Sequence, residues 1–256
     1  MIHSTKIALI QLSSNDKPEE NYEQIKNYLH DSIAKGAKFI LTPEVSNFIS
    51  NDKTLRRRVL SVEYKDPILK LAKEIALKNQ VWILIGSLAI KIDEEINDSY
   101  SNRSLLINPN GKVVARYDKI HMFDIKIKGK INFKESKYFA PGKDAILVKT
   151  PFARLGMTIC YDLRFPILFN RLAKAGANLI CVPSAFTVPT GKYHWELLLR
   201  ARALENKVYI LAPAQCGQNG PSRSTWGHSL VVDPLGEVIS DLGQEPGTSI
   251  VELTII

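Results

Sequence analysis

The chain has 256 residues, 45% of them hydrophobic, which is enough for one large buried core, and no segment reaches the run of about 20 apolar residues that a membrane span requires. Its net charge of +8 raises nucleic acid or an anionic ligand as a partner, but the lysines between Lys112 and Lys143 are interleaved with Asp118, Asp124 and Glu135 and lack the aromatic spacing of a base-stacking platform. Cys160, Cys181 and Cys216 are too few and too widely spaced for a disulfide framework or a zinc site, and the N-terminal apolar run is broken by Lys6, so the expectation is a cytoplasmic protein with no nucleic-acid partner, no membrane contact and no metal.

Short apolar blocks alternate with longer amphipathic ones, the pattern of a layered α/β domain. Lys6 to Leu12 reads as a strand and Pro18 to Lys35 as a helix with Tyr22, Ile25, Leu29 and Ile33 on one face. A strand over Phe39 to Thr42 follows, then a helix over Val62 to Lys78 and a strongly apolar strand over Val81 to Ile90. Two more strands, Ser104 to Ile107 and Val113 to Tyr117, flank Asn108-Pro-Asn-Gly111, whose residues suit a tight turn. His121 to Lys143 is the one long irregular stretch, a length that in compact domains usually carries function. The second half repeats the order. Strands are expected at Ala145 to Lys149, Arg154 to Cys160, Leu179 to Val182 and Val208 to Ala212, with helices from Pro166 to Lys174 and from Lys192 to Asn206. Asp233-Pro-Leu-Gly236 then joins Ser229 to Val232 with Glu237 to Ile239.

Three reactive side chains stand immediately after apolar strands: Glu44, Lys119 and Cys160. In α/β sheets the ligand crevice lies outside the carboxyl ends of strands, so these ends converge on one site. A thiol nucleophile, a carboxylate to take its proton and an ammonium to hold an oxyanion make a set for acyl transfer. A cysteine at a strand-to-helix turn also lies near backbone N–H groups that favour its thiolate. Each residue has an ordinary structural role open to it as well: Glu44 a cap or pair, Lys119 a place in a solvated face, Cys160 a buried packing position. The five histidines are scattered, and neither a G-x-S-x-G elbow nor an H-E-x-x-H pair occurs.

Pro43-Glu44, Tyr117-Asp-Lys119-Ile-His121-Met-Phe-Asp124 and Cys160-Tyr-Asp-Leu-Arg-Phe-Pro166 resemble, in order and at fitting intervals, the three signature blocks of the nitrilase superfamily of carbon–nitrogen hydrolases. The resemblance continues through Pro183 to Phe186, Thr190 to Glu196, Arg200 to Ala203 and Trp226 to Gly236, nearly the whole chain. It implies one carbon–nitrogen hydrolase domain over residues 1–256, a four-layer α-β-β-α sandwich, and a homodimer formed through the helices after Cys160 and after the Thr190-Gly block. It implies Glu44 as general base, Lys119 as oxyanion stabiliser, Cys160 as nucleophile and Glu135 as a second glutamate beside the lysine, with no cofactor. Tyr161-Asp162 with Arg164-Phe165-Pro166 is similar to the branch of deaminated-glutathione amidases and omega-amidases, and Ser184-Ala-Phe186 with Ala214-Gln-Cys-Gly217 leans towards the former. That branch implies a pocket lined by Tyr161, Arg164, Phe186 and Thr190, the arginine suited to a substrate carboxylate, and hydrolysis of a small linear primary amide to acid and ammonia through a thioester. Omega-amidase action on 2-oxoglutaramate-like substrates, N-carbamoyl hydrolysis and a redox-sensing thiol on the same fold are the alternatives. Ile167, where the branch commonly carries glutamate, and the loop Arg223-Ser-Thr-Trp226 are departures that bear on substrate choice.

Overall fold

The computed structural model describes residues 4–95, 98–127, 131–220 and 223–255. The first half contains β1 (Ser4–Gln11), α1 (Pro18–Ala34), β2 (Phe39–Leu41), α2 (Lys53–Val59), α3 (Pro67–Asn79), β3 (Trp82–Lys91), β4 (Tyr100–Ile107), β5 (Val113–Asp118), β6 (Asp124–Ile127) and β7 (Ile131–Lys134). The second contains β8 (Ile146–Lys149), β9 (Arg154–Met157), α4 (Pro166–Lys174), β10 (Leu179–Cys181), α5 (Val188–Asn206) and β11 (Tyr209–Ala212). It continues with β12 (Cys216–Gln218), β13 (Ser224–Trp226), β14 (Leu230–Val232), β15 (Val238–Asp241) and β16 (Gly247–Thr254).

Two six-stranded sheets result, in the orders β16-β1-β2-β3-β4-β5 and β15-β14-β11-β10-β9-β8. Each has three central parallel strands, β1-β2-β3 and β9-β10-β11, flanked by antiparallel ones. Strand alternation assigns the faces. On β1, Ile7 and Leu9 join the core shared with Leu155, Met157 and Leu179 of the second sheet, whereas Ala8 and Ile10 pack with Ile25 and Leu29 of α1 and Ile68, Ala72 and Ile75 of α3. Phe169 and Leu172 of α4 and Trp195 and Leu199 of α5 cover the second sheet. The layers are therefore helix, sheet, sheet, helix, the α-β-β-α sandwich expected.

Helix boundaries follow local chemistry. α3 starts at Pro67 rather than Val62 because the Asp66 carboxylate accepts from the backbone N–H groups of Ile68 (2.9 Å) and Leu69 (3.0 Å) and Pro67 fills the first turn. Residues Glu63–Lys65 form a separate 3-10 turn. α5 starts four residues earlier than expected, at Val188, so Thr190 and Gly191 lie in its first turn. Several features are absent from the sequence-based outline, the β12–β13 hairpin among them. α2 is short and capped by Asp52, β16 zips antiparallel onto the whole of β1, and the stretch read as irregular holds the β6–β7 hairpin.

Candidate active site

Glu44 follows β2 and Cys160 follows β9, both parallel central strands, while Lys119 follows β5 at the end of the first sheet. The chain turns abruptly at two of these ends. Cys160 adopts φ +47° and Val45, next to Glu44, φ +46°, left-handed values that bulky side chains rarely hold. The turns are held from outside: Cys160 N–H donates to the Pro183 carbonyl (2.9 Å), and Val45 N–H donates to Ser87 Oγ (2.8 Å). Ser87 can reach because β3 bulges between Ile85 and Leu88. At that bulge Gly86 lies so near Pro43 that a Cβ built there would sit 1.9 Å from the Thr42 carbonyl and 2.5 Å from the Pro183 side chain.

The four expected reactive groups meet. Glu44, Lys119, Glu135 and Cys160 are all buried and line one pocket. Lys119 Nζ lies 2.8 Å from Glu44 Oε1 and 2.9 Å from Glu135 Oε2, donating to both. Glu135 opens a 3-10 turn directly after β7, and its Oε2 also accepts from Phe123 N–H (2.7 Å). Asn102 of β4, which sequence reasoning missed, donates through Nδ2 to Glu44 Oε1 (2.9 Å) and to Glu135 Oε1 (3.2 Å), and its carbonyl receives Lys119 N–H. The amide thereby holds the two carboxylates apart and the lysine between them.

Electrostatics set the resting protonation. Burial is the largest influence on Glu44 and pushes its pKa up, but the charge and hydrogen bond of Lys119, a hydrogen bond from the Cys160 thiol and the charge of Arg223 outweigh it and leave the carboxyl below its ordinary value. Lys119 is pushed down by burial and up by Glu135, Glu44 and Cys160, ending well above a usual lysine. The Cys160 thiol is raised well above its ordinary value, by burial first and by the Glu44 carboxylate second, and Lys119 offsets only part of this. The thiolate-favouring influence expected of a strand-to-helix turn is outweighed, and the pair rests as carboxylate and thiol, the arrangement in which Glu44 can take the thiol proton. Cys160 and Asp162 N–H groups are taken by the Pro183 and Ile159 carbonyls, and the backbone hydrogen bond that does reach the thiol, from Ala185, offsets only a small part of the rise.

Tyr161, Arg164, Phe186 and Thr190 line the same pocket. The Arg164 guanidinium stands 5.7 Å from the Tyr161 ring centroid and 5.8 Å from that of Phe186, with Nη2 3.0 Å from His194 Nδ1. Thr190 Oγ1 is 2.9 Å from Thr187 Oγ1. Ile167 is a correction in kind: it is 67% exposed on the first turn of α4, outside the pocket lining, so its departure from the branch pattern does not shape the pocket. Arg223, by contrast, lines the pocket and donates through Nη2 to the Ala185 carbonyl (3.0 Å). Cys181 is buried in β10 and Cys216 in β12, both outside the lining, and burial pushes the latter thiol up to about 12.

Beneath the pocket, Asp162 ties the lysine segment to the cysteine segment. Its buried carboxylate accepts from Tyr117 Oη (2.7 Å), His121 N–H (3.0 Å), His121 Nδ1 (2.7 Å) and Ile159 N–H (2.9 Å). Because the carboxylate only accepts, the His121 proton there is on Nδ1. The His121 ring stacks on Phe165 at 3.6 Å between centroids.

A sandwich of two such sheets, with carboxylate, ammonium and thiol gathered at their strand ends, defines a carbon–nitrogen hydrolase. The family profile described as carbon-nitrogen hydrolase matches residues 6–255, and the chain belongs to that family. It is 42% identical over 245 residues, 95% of this chain and 83% of the other, to a deaminated glutathione amidase of Yersinia enterocolitica. Among solved structures it resembles the Caenorhabditis elegans NitFhit protein, with a TM-score of 0.92 and 37% identity over 98% of this chain. That match spans 61% of the NitFhit chain. It also resembles an amidase of Nesterenkonia sp. AN1 solved with acrylamide added to its active-site cysteine, with a TM-score of 0.83 and 27% identity covering 97% of this chain and 93% of that one. Among the described residues, no helix is long and apolar enough to cross a membrane.

Proposed function

We propose that this hydrolase is an amidase for small linear amides that carry a carboxylate, of the deaminated-glutathione kind, and that it works through a thioester on Cys160. The observation that carries the reading is the buried Glu44–Lys119–Glu135 cluster around the thiol, in a pocket whose wall beyond Tyr161 is an arginine with no carboxylate partner among the described residues. The name of the Yersinia relative supports the substrate class.

As sulfur attacks the amide carbonyl, Glu44 takes the thiol proton and a C–S bond forms. The carbonyl electron pair becomes an oxyanion, held by Lys119 and by the Tyr161 backbone N–H at the start of its 3-10 turn. Removing one such donor costs on the order of 10²–10³ in turnover. Glu135 and Asn102 hold Lys119 and Glu44 in register. Collapse breaks the C–N bond as Glu44 returns its proton to the nitrogen, releasing ammonia from a primary amide. Glutathione is a tripeptide, so the amides of its deaminated form are secondary, and the same step there releases a larger amine. Water then loses a proton to Glu44 and attacks the thioester, and the acid departs as Cys160 is reprotonated. Arg164, with Phe186 and Thr190, holds the substrate carboxylate through its planar fork.

The homodimer is part of the same reading. Tyr193, Leu197 and Leu204 of α5 are 68%, 67% and 57% exposed, and with Leu235 they border an open groove. An apolar face of this kind suits a second copy. A reducing cytoplasm fits three free, buried cysteines.

The test measures acid and amine together, for deaminated glutathione, 2-oxoglutaramate, an N-carbamoyl amino acid and an aliphatic nitrile. Deaminated glutathione is expected to have the highest kcat/KM, and a winning nitrile would overturn the subclass. Cys160→Ala is expected to abolish turnover and the acyl adduct seen by intact-mass spectrometry. An active Cys160→Ala protein would overturn the thioester route, and a peroxide-sensitive Cys160 without amide turnover would favour the redox-sensing alternative.

A further inference from the structure

One buried cation in the pocket has no role in the chemistry above. Arg56 is 4% exposed, lines the pocket and lies among aromatic side chains, its guanidinium 4.2 Å from the Tyr138 ring centroid. Nη2 donates to the Ser50 carbonyl (2.9 Å), while Nη1 is buried with no hydrogen-bond partner among the described residues. Among the described residues no carboxylate lies within ion-pair distance of it; its neighbour Arg57, by contrast, pairs with Asp98 and is exposed. A guanidinium withdrawn from water without a counter-charge is costly, and such groups persist where a ligand supplies the charge.

The charge of the whole lining agrees. Arg56, Lys119, Arg164 and Arg223 face Glu44 and Glu135, so the lining carries two positive charges in excess, and both glutamates are already engaged by Lys119. The arginines also stand on different walls. Arg164 has Tyr161, Phe186 and His194 around it, the wall that follows Cys160. Arg56 has Ser50 and Tyr138, which belong to the segments following Glu44 and Glu135. In the proposed cycle the acyl group stays on Cys160 while the leaving amine takes its proton from Glu44.

We infer that Arg56 is a specificity residue for an anionic group on the leaving amine, so that the pocket selects amides with a carboxylate on each side of the scissile bond. The inference rests on the amidase reading for its assignment of sides.

Two probes differing only at the far end test it: glutaryl-alanylglycine and its C-terminal carboxamide, each cleaved at the glutaryl amide. A charge-assisted pair is worth enough to give the free acid a roughly 10–100-fold advantage in kcat/KM over the carboxamide in the native enzyme. Arg56→Gln is expected to bring that ratio near one, and Arg56→Lys to restore part of it; residual turnover of the carboxamide shows that the variant folds. A ratio unchanged in Arg56→Gln, or equal losses on both probes, overturns the proposal and leaves Arg56 a packing partner of Tyr138. If the native enzyme cleaves neither probe, calorimetry of the same two compounds with Cys160→Ala decides. Preferential binding of the free acid that Arg56→Gln abolishes sustains the subsite although the amidase reading has failed, and equal binding overturns both.

Discussion

Asp162→Asn tests whether the site is held together from below. The carboxylate is fully buried and uses both oxygens: Oδ1 accepts from the backbone N–H and Nδ1 of His121, and Oδ2 accepts from the Tyr117 hydroxyl and Ile159 N–H. Tyr117 is a dependable donor because burial first, and the Asp162 charge second, raise its pKa far above an ordinary tyrosine. Asparagine keeps the shape but presents an oxygen on one side and NH₂ on the other. With the oxygen turned to His121, the tyrosine hydroxyl can rotate to accept, but Ile159 N–H faces another donor; the opposite flip strands His121 N–H and forces the imidazole into its other tautomer. The milder arrangement leaves one buried donor unpaired and removes the charge from the remaining bonds, about 2–4 kcal/mol in all. For a domain of this size that lowers Tm by roughly 5–15 °C. Ile159 and His121 adjoin Cys160 and Lys119, so small shifts of either segment are expected to lower kcat/KM by about 10²-fold. Differential scanning fluorimetry and amide turnover read the two effects, with Tyr117→Phe as the milder variant, costing about 1 kcal/mol. An Asp162→Asn enzyme with Tm within about 2 °C of native and kcat/KM within about threefold would refute the reasoning.

Three further predictions follow from the same geometry. Glu44 is depressed and Lys119 raised, so the ion pair's stabilisation is fully present above the ordinary carboxylate pKa and below the ordinary lysine pKa. It is lost only as pH falls through the lowered Glu44 value or rises through the raised Lys119 value, and a pH–rate profile should be flat through neutrality; an acid limb centred near pH 7 would contradict it. Gly86→Ala should destabilise by several kcal/mol and reduce turnover, because the new Cβ meets the carbonyls of Thr42 and Pro43 just before Glu44; a native-like denaturation midpoint would show that the bulge can yield. Leu197→Asp should convert a dimer to a monomer in light scattering, and a monomeric native protein would remove the basis for this change.

What the chain discloses before folding is mostly local. Glu44, Lys119 and Cys160 stand out because an apolar strand must stop at each, and the stop is written in adjacent residues. Pro166 likewise marks the start of α4 at the residue where it is observed. The rest depends on contacts between distant segments. Asn102 is one polar residue in β4, and nothing near it in sequence shows that Glu44, 58 positions earlier, will receive its amide. β16 pairs along all of β1 across more than 200 residues, and its own pattern, half-buried at first, gives little alternation to read. The β6–β7 hairpin was hidden by its lysines, which suggested a solvated face, although Phe133 within β7 and Phe123 just before β6 line the pocket.

The thiol and Arg56 show why residue type alone misleads on charge. A cysteine at a helix start reads as a thiolate only while its surroundings are left out; burial and a carboxylate beside it reverse the sign, so that nucleophile and base share one proton until the substrate arrives. Of the consecutive Arg56-Arg57-Arg58, the last two are exposed and the first is buried. Helical phase turns the first inward, and one residue of rotation separates an exposed ion pair with Asp98 from a buried guanidinium with no counter-charge among the described residues. The same geometry that makes this position costly without a counter-ion makes it selective, since a substrate carboxylate that meets it recovers a desolvation cost the protein has already met.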